Sequence, residues 1–309
     1  MSNRNNIYFI LNPAAGKGRG AKVIPQMERL LNQFDIPKEN LKISEYPGHA
    51  TEIVNTISNS ALKIFSIGGD GSLNEIINGI NNNHHMELGV IPIGSGNDFA
   101  RAIGNLKKDF LVEKYLLSDK MTMCDIGHLT VICKNQVILD RKFISSLGIG
   151  FDALVAYKIR SIKYLKGLLL YLASVFASLM TYKAPISRLE IPQNELNIKD
   201  RFFFFAVGNT ETAGGGFILN PGARIDDGYL NLCLAKDITK MTLLRVLPRA
   251  ITGTHIKDKN VFTYRFNDLT YSTAEKVFLH VDGEAIELAE GKKTIRIQLA
   301  KKKQKVVVF

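Results

Sequence analysis

From Lys63 to Ile80 the chain is committed to a β-to-α unit. Lys63-Ile64-Phe65-Ser66-Ile67 is a short apolar run of strand length, and Gly68-Gly69-Asp70-Gly71-Ser72 halts it. Leu73, Ile76, Ile77 and Ile80 then recur at helical spacing. The glycines let backbone approach a ligand without a Cβ in the way, and the helix start offers free N–H groups to an anion. Asp70 is the odd residue, because a carboxylate beside phosphate repels it. A divalent cation or a metal-bound water between the two would reconcile them. The same residues also fit an ordinary β-to-α turn in which Asp70 or Ser72 caps the helix.

The unit repeats on both sides. Ile7 to Leu11 predicts a first strand, which runs into Asn12-Pro13-Ala14-Ala15-Gly16-Lys17-Gly18-Arg19-Gly20 and a helix over about Ala21 to Phe34. This basic, glycine-rich turn is a candidate phosphate seat but not a P-loop, since no Ser or Thr follows the lysine. A strand near Lys42 to Ser44 leads to a helix starting close to His49, which reads as a helix-end residue rather than a catalytic one. Leu88 to Ile93 predicts another strand, and Gly94-Ser95-Gly96-Asn97-Asp98-Phe99-Ala100-Arg101 another turn into a helix. Strands alternating with helices to about Leu117 predict a doubly wound parallel α/β unit, in which ligands bind beyond the carboxyl ends of the strands.

A boundary is expected at Ser118-Asp119-Lys120, giving an α/β domain over 1–120 and a β-rich domain over 121–309. In the second, short alternating or apolar runs such as Asp125 to Cys133, Arg201 to Val207 and Lys276 to Val281 are separated by turn residues. Gly167 to Tyr182 breaks this pattern as an uncharged helical stretch, too short to span a bilayer. Its spacing predicts one face of Gly167, Tyr171, Ser174, Ser178 and Thr181, and an apolar face of Leu168, Leu169, Leu172, Val175, Phe176 and Leu179. With Arg160, Lys163 and Lys166 before it and Lys183 after, it reads as a helix packed on the β-domain or a surface helix beside a lipid site. Lys301-Lys302-Lys303-Gln304-Lys305 reads as a solvated turn.

Two turns carry carboxylates. Asn220 to Tyr229 sets Asp226 and Asp227 before Gly228, a shape that exposes carboxylate and carbonyl oxygens to a hard cation or closes a hairpin. His280-Val281-Asp282-Gly283-Glu284 is a second such turn. Lys+Arg exceed Asp+Glu by 40 − 29 = 11, a surplus that favours nucleotide phosphates, an anionic membrane or nucleic acid. No groove-binding or base-stacking motif accompanies it, so nucleic acid is not an expected partner. Cys124, Cys133 and Cys233 form no close pair, which argues against a zinc or disulfide framework and suits a reducing compartment. The polar Met1 to Asn6 and the apolar run ending at Leu11 do not have the shape of a signal peptide.

Taken in order, Asn12-Pro13-x-x-Gly16, Gly68-Gly69-Asp70-Gly71-Ser72-x-Asn74-Glu75, Gly94-x-x-Asn97-Asp98-Phe99-Ala100-Arg101, Asp226-Asp227-Gly228 and Asp282-Gly283-Glu284 resemble the diacylglycerol kinase catalytic family. The closer likeness is to the soluble bacterial lipid kinases of that family, relatives of sphingosine kinases. The Gly-Gly-Asp-Gly turn is shared with NAD kinases and phosphofructokinases; the other motifs are more specific. The resemblance implies a doubly wound first domain like those enzymes and a β-sandwich second domain. It implies nucleotide contacts at Asn12, Pro13, Ala14, Ala15, Gly16, Ser44, Gly69, Asp70, Gly71, Ser72, Leu73, Asn74, Glu75 and Ser95. It implies a magnesium site at Arg224 and Tyr229 through backbone oxygens and at Asp227 through its carboxylate. Glu284 is then the general base, Asp70 a catalytic acid-bearing position, and Asp98 and Asp125 acids linking metal and active site. Ser44, Ser72 and Ser95 stand where threonine is usual, and Arg224 where lysine is common. A serine keeps the hydroxyl and a backbone ligand tolerates either side chain.

The expectation is an ATP- and Mg2+-dependent lipid kinase that converts diacylglycerol to phosphatidic acid, cytoplasmic and reversibly bound to an anionic membrane surface, with a homodimer possible. A sphingoid base or phosphatidylglycerol as acceptor, and a non-catalytic lipid or nucleotide binder, are the alternatives.

Overall fold

A computed structural model describes residues 4–80, 86–106, 112–159, 167–236 and 238–308, with backbone alone for 167–172. The positions Arg160, Lys163 and Lys166, and the side chains of Leu168, Leu169, Tyr171 and Leu172, lie outside the described residues. The chain divides into two units, 1–126 with 301–309, and 127–300.

The first unit runs β1 (Ile7–Leu11), α1 (Ala15–Gln33), β2 (Leu41–Ile43), α2 (His49–Ile57), β3 (Lys63–Gly68), α3 (Asp70–Gly79), β4 (Glu87–Pro92), α4 (Asp98–Ala102), α5 (Val112–Leu116) and β5 (Met121–Cys124). The sheet order is β2-β1-β3-β4, then the C-terminal strand Gln304–Val307, then β5. All pairs are parallel except the last. Phe9, Leu11, Phe65, Ile67, Ile91 and Ile93 form one face of the sheet and pack with Met27, Leu30 and Leu31 of α1. Ile10, Ile64, Leu88 and Val90, of the opposite parity, are buried as well. Both faces are therefore covered, which is why these strands are apolar throughout rather than alternating. Because β2 and β3 leave β1 in opposite directions, the sheet has its topological switch point between β1 and β3.

The second unit contains β6 (Gly127–Cys133), β7 (Gln136–Phe143), β8 (Ser146–Gly150), α6 (Phe151–Ile159), α7 (Gly167–Thr181), β9 (Ile186–Ile191), β10 (Leu196–Gly208), the short hairpin β11 (Thr212–Ala213) and β12 (Phe217–Ile218), β13 (Leu230–Lys236), α8 (Lys240–Val246), β14 (Val261–Phe266), β15 (Asp268–Thr273), β16 (Val277–Val281), β17 (Glu284–Leu288) and β18 (Lys293–Leu299). All the sheet pairs are antiparallel. The first half of β10 pairs with β9 and its second half with β8 and β13, with a register shift between Phe202 and Phe204. A strand that changes partners at an irregularity turns the corner between two sheets. One core fills the space between them, drawing Leu129, Phe143, Leu189, Phe205, Leu232, Tyr271 and Ile297 from both layers. On the far side of the β8–β10–β13 layer, Phe203, Phe204 and Ala235 pack under α6, α7 and α8.

Three sequence expectations change. The first unit extends to Ile126 rather than residue 120, because β5 pairs with the C-terminal strand of its sheet. The lysine-rich C-terminal segment is a solvated turn only over Lys301, Lys302 and Lys303. Gln304–Val307, here β19, inserts between β4 and β5, Val306 and Val307 are fully buried, and Lys305 Nζ lies 2.8 Å from Glu87. On α7 the two expected faces do not sort into inside and outside: Ser174 and Ser178 are buried beside Val175 and Leu179, whereas Phe176, Met180 and Thr181 are exposed. Small side chains allow the backbone to approach its neighbours closely, which an apolar-against-polar count misses.

Candidate functional site

Three glycine-rich turns lie side by side at the carboxyl ends of β1, β3 and β4 and are bonded to one another. Asn12 Nδ2 donates to Ser72 Oγ at 3.0 Å across the β1–β3 switch point. The N–H groups of Ile93 and Gly94 donate to Gly68 O at 2.9 and 3.1 Å. A Cβ on Gly94 would stand 2.5 Å from the Gly69 Cα, so this approach of two backbones requires glycine. Arg19 donates to Ile93 O at 3.0 Å and Gly94 O at 3.1 Å, joining the first turn to the third. Gly16, Lys17 and Gly18 are all left-handed, with φ of 60°, 61° and 85°, so the loop coils before the regular part of α1 begins.

Asp70 opens α3, and its Oδ1 accepts from the Phe99 N–H at 3.2 Å, tying the second turn to the start of α4. The N-cap of α3 is Gly69, with no side-chain cap, so neither Asp70 nor Ser72 plays the capping role. The first helical bond is Leu73 N–H to Gly69 O, which leaves the amides of Gly71 and Ser72 ahead of the ladder, where an anion can meet them. The Leu73 side chain is in the core, so only its backbone is near the turn's surface. Glu75 faces α2: its Oε2 accepts from Ala50 N–H at 3.2 Å and its carbonyl from Thr51 Oγ1 at 2.8 Å. Ser44 is buried at the end of β2 and Ser95 is exposed in the third turn. His49 starts α2, accepts from the Glu45 N–H through Nδ1 at 3.1 Å and stacks on Tyr46, a helix-end role as expected. Asp98 and Asp125 are both buried, and Asp125 pairs with Lys303 at 3.0 Å.

In the second unit, Asp282 and Gly283 close the β16–β17 hairpin with φ of 45° and 84°, the two left-handed residues of a type I′ turn. The buried Asp282 carboxylate accepts from the N–H groups of Ile144, Ser145 and Ser146 at 3.0, 2.9 and 2.9 Å. That clamp fixes the turn, and Glu284 follows it as the first residue of an edge strand, its side chain half-exposed. Arg141 on β7 donates to Glu284 Oε2 at 2.5 Å.

Around Asp227 the arrangement is equally local. Its Oδ1 accepts from the Tyr229 N–H at 3.0 Å, and its Oδ2 from Arg265 at 2.6 Å. Arg265 also lies 4.2 Å from the centroid of the Tyr229 ring, and Arg224 pairs with Asp226 at 3.2 Å. A carboxylate and two backbone carbonyls from one turn are hard oxygen donors of the type magnesium takes, with water completing the shell. They fit the ion, provided that Asp227 shares its carboxylate with Arg265. Among the described residues no group of three His, Cys, Asp or Glu side chains is placed to hold a metal.

Sequence reasoning read Arg19 only as part of a basic turn, and it passed over Arg141 and Arg265. The last two act on residues 143 and 38 positions away, and no local spacing announces such a pair.

The chain matches the family model of the diacylglycerol kinase catalytic domain over residues 6–128. It matches the YegS C-terminal NAD kinase beta sandwich-like domain over residues 145–298. A diacylglycerol kinase of Staphylococcus epidermidis is 30% identical over 291 residues, covering 91% of this chain and 86% of that one. Among solved structures, a diacylglycerol kinase from Bacillus anthracis superposes with a TM-score of 0.66 at 18% identity, covering 99% and 97% of the two chains. Yeast NADH kinase complexed with NADH superposes with a TM-score of 0.57 at 10% identity, covering 100% and 84%. The structural likenesses speak for the fold.

Proposed function

The chain belongs to the diacylglycerol kinase family, and from that premise we propose that it transfers the γ-phosphoryl group of ATP to the hydroxyl of membrane diacylglycerol, giving phosphatidic acid. The observation that carries this reading is the bonded set of three glycine turns at the switch point of a parallel sheet, with Asp70 among them. Phosphoryl transfer asks for positioning and charge neutralisation rather than covalent chemistry from the protein.

In this reading the amides of Gly71 and Ser72 and the basic turn at Lys17 seat the phosphates. Asp70, joined to the Phe99 amide, holds its carboxylate toward the phosphates and the water around them. Asp227, with the backbone oxygens of Arg224 and Tyr229, would hold Mg2+, which when bound offsets phosphate charge. Glu284 accepts the proton of the acceptor hydroxyl, and Arg141 keeps its carboxylate in one orientation. No helix among the described residues is long and apolar enough to cross a membrane. In this reading the protein is cytoplasmic and meets its acceptor by binding reversibly at the bilayer surface.

Labelled ATP incubated with the protein and a total lipid extract tests this, with the labelled product identified after separation. Label in phosphatidic acid is the expected result. Label in a phosphorylated sphingoid base or in phosphorylated phosphatidylglycerol would keep the kinase and change the acceptor. No labelled lipid would leave a non-catalytic binder.

A further inference from the structure

Large apolar side chains exposed singly are ordinary, but a contiguous exposed patch marks a docking surface. In the second unit α7 exposes Phe176 and Met180, each at 61%, one helical turn apart. Beside it α8 exposes Met241 at 75% and Leu244 at 43%. The inner residues of both helices, Val175 and Leu179 on one, Leu243 and Val246 on the other, belong to a single buried cluster. Lys240 Nζ reaches Met180 O at 3.4 Å, which brings the start of α8 to the end of α7.

Charge chooses the occupant. The stretches 173–183 and 238–251 contain Lys183, Lys240, Arg245 and Arg249 and no Asp or Glu. Arg245 and Arg249 both approach the buried Asp258, at 3.1 and 3.7 Å, which leaves the face cationic. A protein partner with an apolar surface would not require that rim, whereas an anionic bilayer meets both features: headgroup phosphates for the cations and acyl chains for the apolar side chains.

We propose that the outer faces of α7 and α8 form one membrane-docking surface, with Phe176, Met180, Met241 and Leu244 entering the interface of an anionic bilayer inside a rim that includes Lys240 and Arg245. This deepens the lipid-kinase reading and rests on it for the reason a bilayer is visited at all. The four residues enter as far as the headgroup and acyl boundary, so binding is reversible. The apolar part of the attachment outlasts salt that screens the cations.

The chain contains no tryptophan, so Met180→Trp and Leu244→Trp each install the only indole. With the full chain and vesicles of phosphatidylcholine containing about 30% phosphatidylglycerol, each indole should shift to the blue and be quenched by brominated acyl chains. Phe176→Ser with Met180→Ser should lower vesicle binding about tenfold even in about 0.5 M salt, while leaving turnover of a water-soluble short-chain diacylglycerol and the thermal midpoint unchanged. Val137→Ser with Ile138→Ser, which alters exposed apolar residues on β7, should bind like wild type. Indoles that stay unquenched on vesicles carrying the protein would overturn the proposal, as would α7 variants that bind like wild type. It would also fall if wild type were a dimer that the α7 substitutions dissociate, since a second copy would then cover this face. Vesicle binding with these signatures but no phosphate transfer to lipid would sink the kinase reading and leave the docking surface standing.

Discussion

Arg141 and Glu284 meet at 2.5 Å across 143 residues of chain, the guanidinium holding one oxygen of a carboxylate that stands at the start of an edge strand. Among the described residues no hydrogen bond engages Oε1, which leaves that oxygen to accept a proton. Glu284→Gln keeps the size and the contact with Arg141 but cannot act as a base. Turnover should fall by about 10²–10⁴ with ATP affinity and thermal midpoint unchanged. Nucleotide binding, melting and turnover measured on one preparation check this. A near wild-type rate would mean another base, and joint loss of stability and binding would mean a folding role.

Asp70→Ala should lower turnover by about 10²–10³ without unfolding the protein, since the lost carboxylate serves phosphate positioning while the glycine turns remain bonded through Asn12, Ser72 and Arg19. Circular dichroism and ATP turnover report the two parts. An unchanged rate would remove Asp70 from the mechanism.

Asp227→Ala should raise the Mg2+ needed for half-maximal activity sharply or abolish activity. The substitution removes the only carboxylate of the proposed site and releases Arg265. A magnesium titration that superposes on wild type would show that the turn binds no metal.

Acid should loosen the first unit at its C-terminal strand. Burial by itself would raise the Glu87 carboxyl, but hydrogen bonds from Lys305 and Lys63 outweigh it and hold the group below its ordinary value. A carboxyl depressed on folding stabilises fully above its unfolded value, about 4.3, and loses that contribution as pH falls through the folded value. Glu87→Gln should therefore lower the melting temperature at neutral pH and flatten its decline below about pH 4.3. Parallel melting curves for the two proteins across that range would contradict the assignment.

The first unit was the more legible part. Ile7–Leu11, Lys63–Gly68 and the run ending at Pro92 are apolar on both faces because helices cover both, and each leads into a turn whose glycines backbone contact requires. The return of Gln304–Val307 was hidden, because a strand's pairing partner is set by tertiary contact and the lysines before it look solvated. Lys303 and Lys305 are neutralised by Asp125 and Glu87, far away in sequence. On α7 the helical period was right, but the two faces do not sort into inside and outside, because Ser174 and Ser178 are small enough to lie inside with Val175 and Leu179 while Phe176 stays out. The turns bearing Asp70, Asp227 and Glu284 were visible as glycine and acid patterns. Their arginine partners were not, since Arg141 and Arg265 come from other strands.

The most direct test of the account is transfer of labelled γ-phosphate from ATP to purified diacylglycerol in mixed micelles, with wild type and Glu284→Gln side by side. Label should appear in phosphatidic acid with wild type and Mg2+, and fall by about 10²–10⁴ with the variant. Label released only as inorganic phosphate, or label in phosphatidic acid at equal rates from both proteins, would contradict it.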